Sequence, residues 1–366
     1  MTPPEPGGPA KPRLSGLTGP VLVVGSGLLG ASIGLALRRA GVQVWLDDVD
    51  PDAVAEAVGR GAGEPWRPDS GEPRLVVVAV PPAVAGAAMA RAGAFAGATV
   101  TDVTSVKTEP LAAALAAGAD PARLVGGHPM AGRETSGAAA ARHDLFDDRV
   151  WVISPLAESD PERVEIVRDL VVTCGAVPVV MPPEEHDRAV ALTSHAPQLL
   201  SSLLAARLLD ADPEAVAVSG QGLRDMTRIA GSDPRLWRAI LDANADSVAD
   251  VLEAFAQDLD AVIARLRRHD DVADALTRGV EGRLRIPGKH GAAATVYAVV
   301  PVIIRDEPGE LGRLFLAAGE LGVNLEDVRI DHVLGKPSGL VELSVRPEST
   351  VRLVEGLGAL GFDVRA

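Results

Sequence analysis

The sequence predicts an α/β chain with three parts: a doubly wound domain with a parallel sheet, an all-helical domain, and a small ferredoxin-like βαββαβ unit. Short apolar runs alternate with alanine-rich helical segments in the first half of the chain, which is typical of a parallel sheet covered by helices. Long segments with helical apolar spacing follow, without strand patterns. The last part reads strand, helix, strand, strand, helix, strand, which is the ferredoxin-like order.

The domain boundaries follow these changes in pattern. We predict a disordered Pro/Gly-rich tail over residues 1–17 and the doubly wound domain over 18–183. The helical domain is predicted over 184–285, a linker over 286–294, and the βαββαβ unit over 295–366.

Composition excludes several function classes. The chain has 366 residues, is 47% hydrophobic and carries a formal net charge of −15, so we expect a large core and no nucleic-acid surface. No apolar run reaches membrane-spanning length, and the tail lacks the apolar segment of a signal peptide. The single cysteine, Cys174, excludes an intramolecular disulfide and is expected to lie in the core. We therefore predict a cytoplasmic protein.

Periodicity places the individual elements. The predicted strands of the first domain are VLVV, VQVWLDDVD, RLVVVAVPP, ATVTDVTSVK, RVWVISP and GAVPVVMPP. The stretch GGHPMAGRETSG (126–137) has no such period and is predicted to be a loop that contacts a ligand. Residues 184–210 are predicted to form one helix kinked at Pro197, and 236–270 a second continuous helix. The wide apolar faces of these helices indicate a homodimer.

A glycine-rich turn lies between the first predicted strand and its helix. It carries the pattern G-x-G-x-x-G, formed by Gly25, Ser26, Gly27, Leu28, Leu29 and Gly30. In this setting the glycines permit a tight turn and bring the backbone close to a pyrophosphate at the helix N-terminus. We therefore predict a dinucleotide-binding domain.

The second predicted strand ends in Asp47-Asp48, at the distance from the glycines where an acidic residue hydrogen-bonds the ribose diol. The same charge repels a 2′-phosphate, which favours NAD over NADP. Because side chains alternate along a strand, only one of the two aspartates points to the ribose. Asp48 is preferred because it lies at the carboxyl end, which leaves Asp47 as a solvated acid.

Ligands of a doubly wound sheet bind beyond the carboxyl ends of its strands. Val80 and Pro81 are expected to contact the cofactor there. Ser105 and His128 are expected to converge near the nicotinamide, where a histidine can move a proton near neutral pH. The alternative for His128 is a structural loop histidine.

Several motifs occur in one order: VVGSGLLGASIGLAL, TDVTSVK, GGHPMAGRETSG, TSHAPQ and GLRDMTRIAGSDPRLW. Together they resemble the prephenate dehydrogenase family of tyrosine biosynthesis, which includes arogenate and cyclohexadienyl dehydrogenases. The C-terminal unit, with RDEPGEL and LGVNLEDVRIDH, resembles an ACT regulatory domain. The resemblance implies NAD-dependent oxidative decarboxylation of prephenate or arogenate.

The resemblance also implies residue roles. His128 matches the catalytic histidine that takes the proton of the ring hydroxyl, and Ser105 matches the serine that orients this histidine and contacts the hydroxyl. Arg228 matches an arginine that binds a substrate carboxylate, although an ion pair with Asp225 is an equally good interpretation of its spacing alone. Trp237 matches a tryptophan near the pocket, contributed by the same or the partner subunit.

One departure bears on the substrate. The family often reads S-H-x-P-H, whereas this chain keeps His195 and has Gln198 in place of the second histidine. A neutral amide there, together with Glu134 at a position linked to side-chain selection, favours the alternative that arogenate is used.

The C-terminal unit suggests an effector. In ACT domains the residues that match Asp306, Gly309 and Asn324 shape an amino-acid site, so we expect feedback by tyrosine. The alternative is a purely structural dimerisation module.

Three other functions stay open. A β-hydroxyacid dehydrogenase shares the predicted domains but uses a lysine in its helical domain, and residues 184–285 contain none. A non-catalytic sensor of NAD and an amino acid is disfavoured by Ser105, His128 and Arg228 together. An enzyme for an amino-substituted prephenate is the third.

Overall fold

A computed structural model of the chain describes residues 16–132, 137–286, 297–332 and 338–365. It divides into two compact units, Met1–Asp260 and Ala261–Ala366. Among the described residues, no helix is both long enough and apolar enough to cross a membrane.

The first unit is built on one eight-stranded sheet with the strand order β3-β2-β1-β4-β5-β6-β7-β8. All neighbouring pairs are parallel except β6 and β7, which are antiparallel. The strands are β1 Val21–Val24, β2 Val44–Asp47, β3 Glu64–Pro65, β4 Leu75–Val78, β5 Thr99–Asp102, β6 Leu124–Pro129, β7 Val150–Pro155 and β8 Val177–Val180.

Helices cover both faces of this sheet, as the apolar strand runs predict. The central strand β4 is fully buried, with Val77 in one apolar layer and Val76 and Val78 in the other. The helices of this part are α1 Leu28–Arg39, α2 Pro51–Gly59, α3 Pro82–Ala92, α4 Thr108–Ala116 and α5 Pro161–Thr173. Asp50 and Asp160 cap α2 and α5, each immediately before a proline that starts the helix.

The predicted loop at residues 126–137 is wrong in its first part. Gly126 to Pro129 belong to β6, and His128 pairs with Val152 of β7. Two glycines and a proline give this segment a low strand propensity, so the pairing with neighbouring strands decides its conformation. His128 therefore lies on a paired strand and not in a loop.

The helical part departs twice from the predicted continuous helices. A π-helical turn at Ala191–His195 separates α6 Pro183–Val190 from α7 Ala196–Ala206 and ends two residues before Pro197. The second predicted helix is broken at Asn244, between α10 Pro234–Ala243 and α11 Ala245–Arg267. Two short helices lie between α7 and α10, namely α8 Pro213–Ala217 and α9 Gln221–Thr227.

The second unit contains α12 Ala273–Arg283 and a four-stranded antiparallel sheet of order β10-β11-β9-β12. Its elements are β9 Ala298–Arg305, α13 Glu310–Glu320, β10 Asp327–His332, β11 Ser338–Val345, α14 Thr350–Ala359 and β12 Asp363–Val364. This order confirms the ferredoxin-like fold. An apolar cluster that includes Val302, Leu314 and Leu353 fills the space between sheet and helices.

Candidate active site

The glycine turn after β1 leaves space for a ligand. Gly25 has φ +103°, and a Cβ there would lie 2.2 Å from the Ala79 carbonyl oxygen. A Cβ at Gly30 would lie 1.9 Å from the Gly25 carbonyl oxygen, so both glycines are required by the fold. A Cβ at Gly27 would meet no atom within 4 Å. Packing within the chain therefore does not require the middle glycine, and the space beside it is open to a ligand.

Asp48 lies beside this turn. Its Oδ2 accepts the Ser26 N–H at 2.6 Å, and its Oδ1 accepts the Asp50 N–H at 3.0 Å. Ser26 Oγ is buried and has no hydrogen-bond partner among the described residues. Asp47 is exposed at the end of β2. The Ser26 hydroxyl and the open space at Gly27 fit the phosphates of a dinucleotide, and the Asp48 carboxylate fits its ribose.

A second cleft lies where β5 and β6 end. It encloses about 440 Å³ and is lined by Ser105, His128, Pro129, Met130, Ala131, Gly132, Thr193, Ser194, His195, Trp237 and Ile240. Because β1, β4, β5 and β6 run parallel, their carboxyl ends share one edge of the sheet. Val80 is half-buried after β4, and Pro81 is the exposed N-cap of α3.

His128 is held by a hydrogen-bonded chain. Its Nδ1 lies 2.8 Å from His186 Nε2, and His186 Nδ1 lies 2.8 Å from Asp187 Oδ1. A carboxylate only accepts, so His186 donates through Nδ1. In neutral rings this leaves His186 Nε2 as the acceptor for His128 Nδ1–H. The cleft-lining His128 therefore keeps an unprotonated Nε2, which is the state of a general base.

Burial supports the neutral state of His128. Desolvation lowers the pKa of His128 well below its usual 6.5, and repulsion from His186 and Lys107 lowers it further. Burial raises the pKa of the Asp187 carboxyl, but hydrogen bonds from His186 and from two backbone N–H groups outweigh this and keep its pKa low. The N–H groups of Lys107 and Thr108, at the start of α4, each donate to Asp187 at 2.8 Å.

A buried ion pair holds β6 in place. Lys107 Nζ donates to the Asp102 carboxylate, to the Gly127 carbonyl oxygen at 2.6 Å and to Thr104 Oγ1 at 3.1 Å. Asp102 Oδ1 accepts the Gly127 N–H at 3.0 Å. Burial lowers the pKa of Lys107, an effect that Asp102 partly offsets. Both backbone groups of Gly127 are thus fixed immediately before His128.

His195 enters the cleft from the π-helical turn. It is 1% exposed, and its Nδ1 lies 3.1 Å from Asn244 Nδ2. Burial lowers the pKa of His195 to about 4. The Trp237 ring meets the His195 ring edge-on, with centroids 6.1 Å apart. Trp237 therefore lines the cleft of its own chain.

Other predicted residues lie elsewhere. Ser105 lines the cleft, but the His128 ring is oriented by the hydrogen bond that its Nδ1–H donates to His186 and not by Ser105. Gln198 is buried, and its amide donates to the Ile229 carbonyl oxygen at 2.9 Å, so it supports the turn after α9. Arg228, in that turn, is exposed and does not line the cleft. Glu134 lies outside the described residues.

The predicted effector residues belong to the second unit. Asp306 is exposed after β9. Gly309 has φ +96° and precedes α13, so its backbone conformation explains the glycine and close approach to a ligand is not needed to explain it. Asn324 donates from its amide to Glu326 at 2.9 Å.

Sequence reasoning missed His186, Asp187 and Asn244. The only local signal for them is the His-Asp pair within EEHDRAV. Nothing in that pattern says that the pair faces a histidine on a distant strand. Only the packing of α6 beside β6 and β7 reveals it.

Comparison with known proteins agrees with this arrangement. Residues 33–180 match the family model of the prephenate dehydrogenase nucleotide-binding domain, and residues 182–281 match that of its dimerization domain. A probable prephenate dehydrogenase from Streptomyces niveus, NovF, is 37% identical over 352 residues, which cover 92% of this chain and 96% of NovF.

Two solved structures share the fold. Prephenate dehydrogenase from A. aeolicus, in complex with hydroxyphenyl propionate and NAD⁺, has a TM-score of 0.66 at 28% identity and covers 73% of this chain and 98% of its own. Arogenate dehydrogenase from Synechocystis has a TM-score of 0.64 at 26% identity and covers 72% of this chain and 98% of its own. Family models, a relative and structures thus agree with the motifs, and this chain is an enzyme of the prephenate dehydrogenase family.

Proposed function

We propose that this enzyme oxidatively decarboxylates prephenate to 4-hydroxyphenylpyruvate with NAD, in tyrosine biosynthesis. The observation that carries the proposal is the His128 ring, whose unprotonated Nε2 lines a cleft at the sheet edge where the glycine turn also ends. Relatives named prephenate dehydrogenase support the choice of substrate.

The chain's own residues would hold NAD in a defined way. Gly25 to Gly30 and the start of α1 would receive the pyrophosphate, with the Ser26 hydroxyl available to it. Asp48 would hydrogen-bond the ribose diol and repel a 2′-phosphate. Val80 and Pro81 would contact the cofactor beyond β4.

The chemistry needs a base and a position for the substrate. His128 Nε2 takes the proton of the ring hydroxyl, with Ser105 placed to contact the same hydroxyl. NAD, when bound by the residues named above, would supply the acceptor for the hydride of the carbinol carbon. The ring carboxylate then leaves as CO₂, and the ring becomes aromatic, which supplies the driving force. Trp237, which lines the cleft, is proposed to bind the substrate. Arg228, which is exposed and outside the cleft lining of a single chain, is proposed as the carboxylate ligand on the family resemblance alone.

Arogenate is the second candidate. The cleft histidines are both neutral by burial, so neither repels the ammonium group of arogenate. The structure weakens the argument from Gln198, because its amide is engaged with Ile229. The similarity to an arogenate dehydrogenase keeps this candidate open.

The direct test is NADH formation with NAD and either prephenate or arogenate, beside a His128→Asn variant. Turnover of prephenate that the variant loses would support the proposal. Turnover of arogenate alone would move the product to tyrosine and keep the mechanism. No turnover of either substrate, with NAD bound normally, would refute the proposed reaction and favour a sensor or an amino-substituted substrate.

We also propose a homodimer through the helical domain and feedback by tyrosine at the C-terminal unit, here taken as an ACT domain over 295–366. Phe255, Leu259 and Leu266 form an exposed apolar stripe on α11, which a second subunit would cover.

Asp306, Gly309 and Asn324 are the proposed effector residues for tyrosine in the C-terminal unit. In the full chain, Asn324→Ala should weaken tyrosine inhibition at least about tenfold if Asn324 makes a charge-assisted hydrogen bond. Unchanged inhibition would refute this location.

A further inference from the structure

Asn244 interrupts the helix that the sequence predicts to be continuous. It lies between α10 and α11 with φ −132° and ψ 29°, and its side chain is buried. Asparagine in a helix break is common, but this side chain does not cap either helix. It points instead to two groups of the active-site helices, the Asp187 carbonyl oxygen at 2.9 Å and His195 Nδ1 at 3.1 Å.

These two contacts determine which atoms carry hydrogen. A backbone carbonyl oxygen only accepts, so the Asn244 atom near Asp187 is the amide nitrogen. That nitrogen has two hydrogens, and the second faces His195 Nδ1. His195 Nδ1 must therefore be the unprotonated, accepting nitrogen. In a neutral imidazole the proton then lies on Nε2.

His195 Nε2 has no hydrogen-bond partner among the described residues, and the ring lines the cleft. The two cleft histidines thus have opposite hydrogen-bonding character. His128 accepts through Nε2, because its Nδ1–H is directed to His186. His195 donates through Nε2, because its Nδ1 receives a hydrogen from Asn244.

We propose that Asn244 is a positioning residue that fixes His195 as a neutral Nε2–H donor, and that this donor binds an oxygen acceptor of the substrate. This inference rests on the proposed function, since it assumes that the cleft binds the substrate. The acceptor is a carboxylate or carbonyl oxygen, because an ammonium group has no lone pair to offer. A proton on His195 Nδ1 would face the Asn244 amide hydrogens, so this contact fits only a ring that is unprotonated at Nδ1.

Asp187 connects both histidines. Its carboxylate orients His186 and through it His128, while its carbonyl oxygen holds the Asn244 amide in the orientation that sets His195. One residue therefore gives the cleft its acceptor and its donor.

The first test needs no substrate. The chain has seven histidines, so ¹⁵N-labelled histidine in the full-length protein gives few imidazole signals, and His195→Gln identifies those of His195. We expect the ¹⁵N shifts of a neutral ring protonated at Nε2. A ring protonated at Nδ1, or a charged ring at about pH 7, would overturn the proposal.

The second test is Asn244→Asp. A carboxylate can only accept, so a neutral His195 ring would carry its proton on Nδ1 and lose the donor at Nε2. We expect the ¹⁵N signature to change accordingly, and the KM of the substrate to rise about tenfold or more while kcat and the KM of NAD change little. When His195 is already replaced by Gln, Asn244→Asp should raise the substrate KM little further. A purely structural defect of Asn244→Asp would instead raise the KM of the double variant above that of His195→Gln. An unchanged substrate KM with the altered tautomer would overturn the role in binding.

These outcomes separate the inference from the proposed function. Absence of turnover with prephenate and arogenate would refute the proposed reaction, yet the ¹⁵N measurement would still decide whether Asn244 sets the tautomer. If Asn244→Asp fails to fold, the spectrum of the unmodified protein remains decisive for His195.

Discussion

His186 lies with Nε2 2.8 Å from His128 Nδ1, although the two residues are 58 positions apart in the chain. The contact joins a histidine on a helix to a histidine on strand β6, and Asp187 fixes its direction. It leaves His128 Nε2 unprotonated before any substrate arrives. The orientation of the ring is thus set by the scaffold, which is what a positioned general base requires.

Removing the charge of Asp187 should disturb this orientation. The Asp187 carboxylate accepts hydrogen bonds from His186 and from two backbone N–H groups. In Asp187→Asn, a neutral amide with only one accepting oxygen would replace it, so His186 would lose its fixed tautomer. We expect kcat/KM to fall at least about tenfold. Replacing the aspartate that orients the histidine of a Ser-His-Asp triad lowers the rate by up to about 10⁴-fold, which sets the upper limit of the expected loss. Steady-state NADH formation measures this. Asp160→Asn, at the exposed cap of α5, is the matched control and should leave kcat/KM unchanged. Equal activity of the two variants would contradict the role of Asp187.

The activity should persist below the usual histidine range. Burial lowers the pKa of His128 well below 6.5, and the base must be unprotonated to work. The acidic limb of the kcat/KM profile is therefore expected below pH 6.5, with a plateau above it. In His128→Asn the residual rate should lack this limb. A limb centred at or above pH 6.5 in the unmodified enzyme would show that the ring is not desolvated as the structure indicates.

Folding stability should fall as the pH drops below 6.5. The folded-state pKa of His195 is about 4, whereas the unfolded ring titrates near 6.5, so the unfolded chain binds more protons in this window. The stability contributed by keeping the ring neutral is present above pH 6.5 and is lost progressively down to about pH 4. Urea midpoints at about pH 7 and about pH 5 measure the change. His195→Gln should reduce the difference, and an identical difference in that variant would contradict the assignment.

Two glycine substitutions should separate fold from cofactor binding. A Cβ at Gly27 meets nothing within 4 Å, so Gly27→Ala should keep the melting temperature and weaken NAD binding about tenfold or more. A Cβ at Gly30 lies 1.9 Å from the Gly25 carbonyl oxygen, so Gly30→Ala should lower the melting temperature. Thermal unfolding and NAD titration of both variants distinguish the two effects. Normal NAD affinity in Gly27→Ala would mean that the open space is not the pyrophosphate site.

Much of the fold could be predicted from local sequence patterns. The glycine turn, Asp48 and the alternation of strands and helices are local signals, because turn geometry and side-chain periodicity depend on neighbouring residues. The same holds for the ferredoxin-like order at the C-terminus. Strand β6 could not be predicted in this way, because its two glycines and proline have a low strand propensity. Its conformation depends on pairing with β5 and β7, which are distant in the sequence.

The position of Ser105 and His128 after predicted strands marked them as site residues, and the family resemblance added their roles. The chain's membership of the family is now shown. The resemblance placed Gln198 at the substrate, whereas the structure shows its amide bonded to Ile229. A motif records which residue occurs at a position. It does not record which neighbour that residue's amide meets, and this depends on how α7 packs against the turn after α9.

The sequence by itself determined the fold class, the family and the residue types of the site. Only the tertiary structure decided that His186 and Asp187 orient His128 and that Asn244 reaches His195 from a break between two helices. The physical reason is that a hydrogen bond needs its partners about 3 Å apart in a fixed direction, and residues distant in the chain meet that condition only after packing. The direction of each bond then fixed where the protons lie, and with them the chemical character of the cleft.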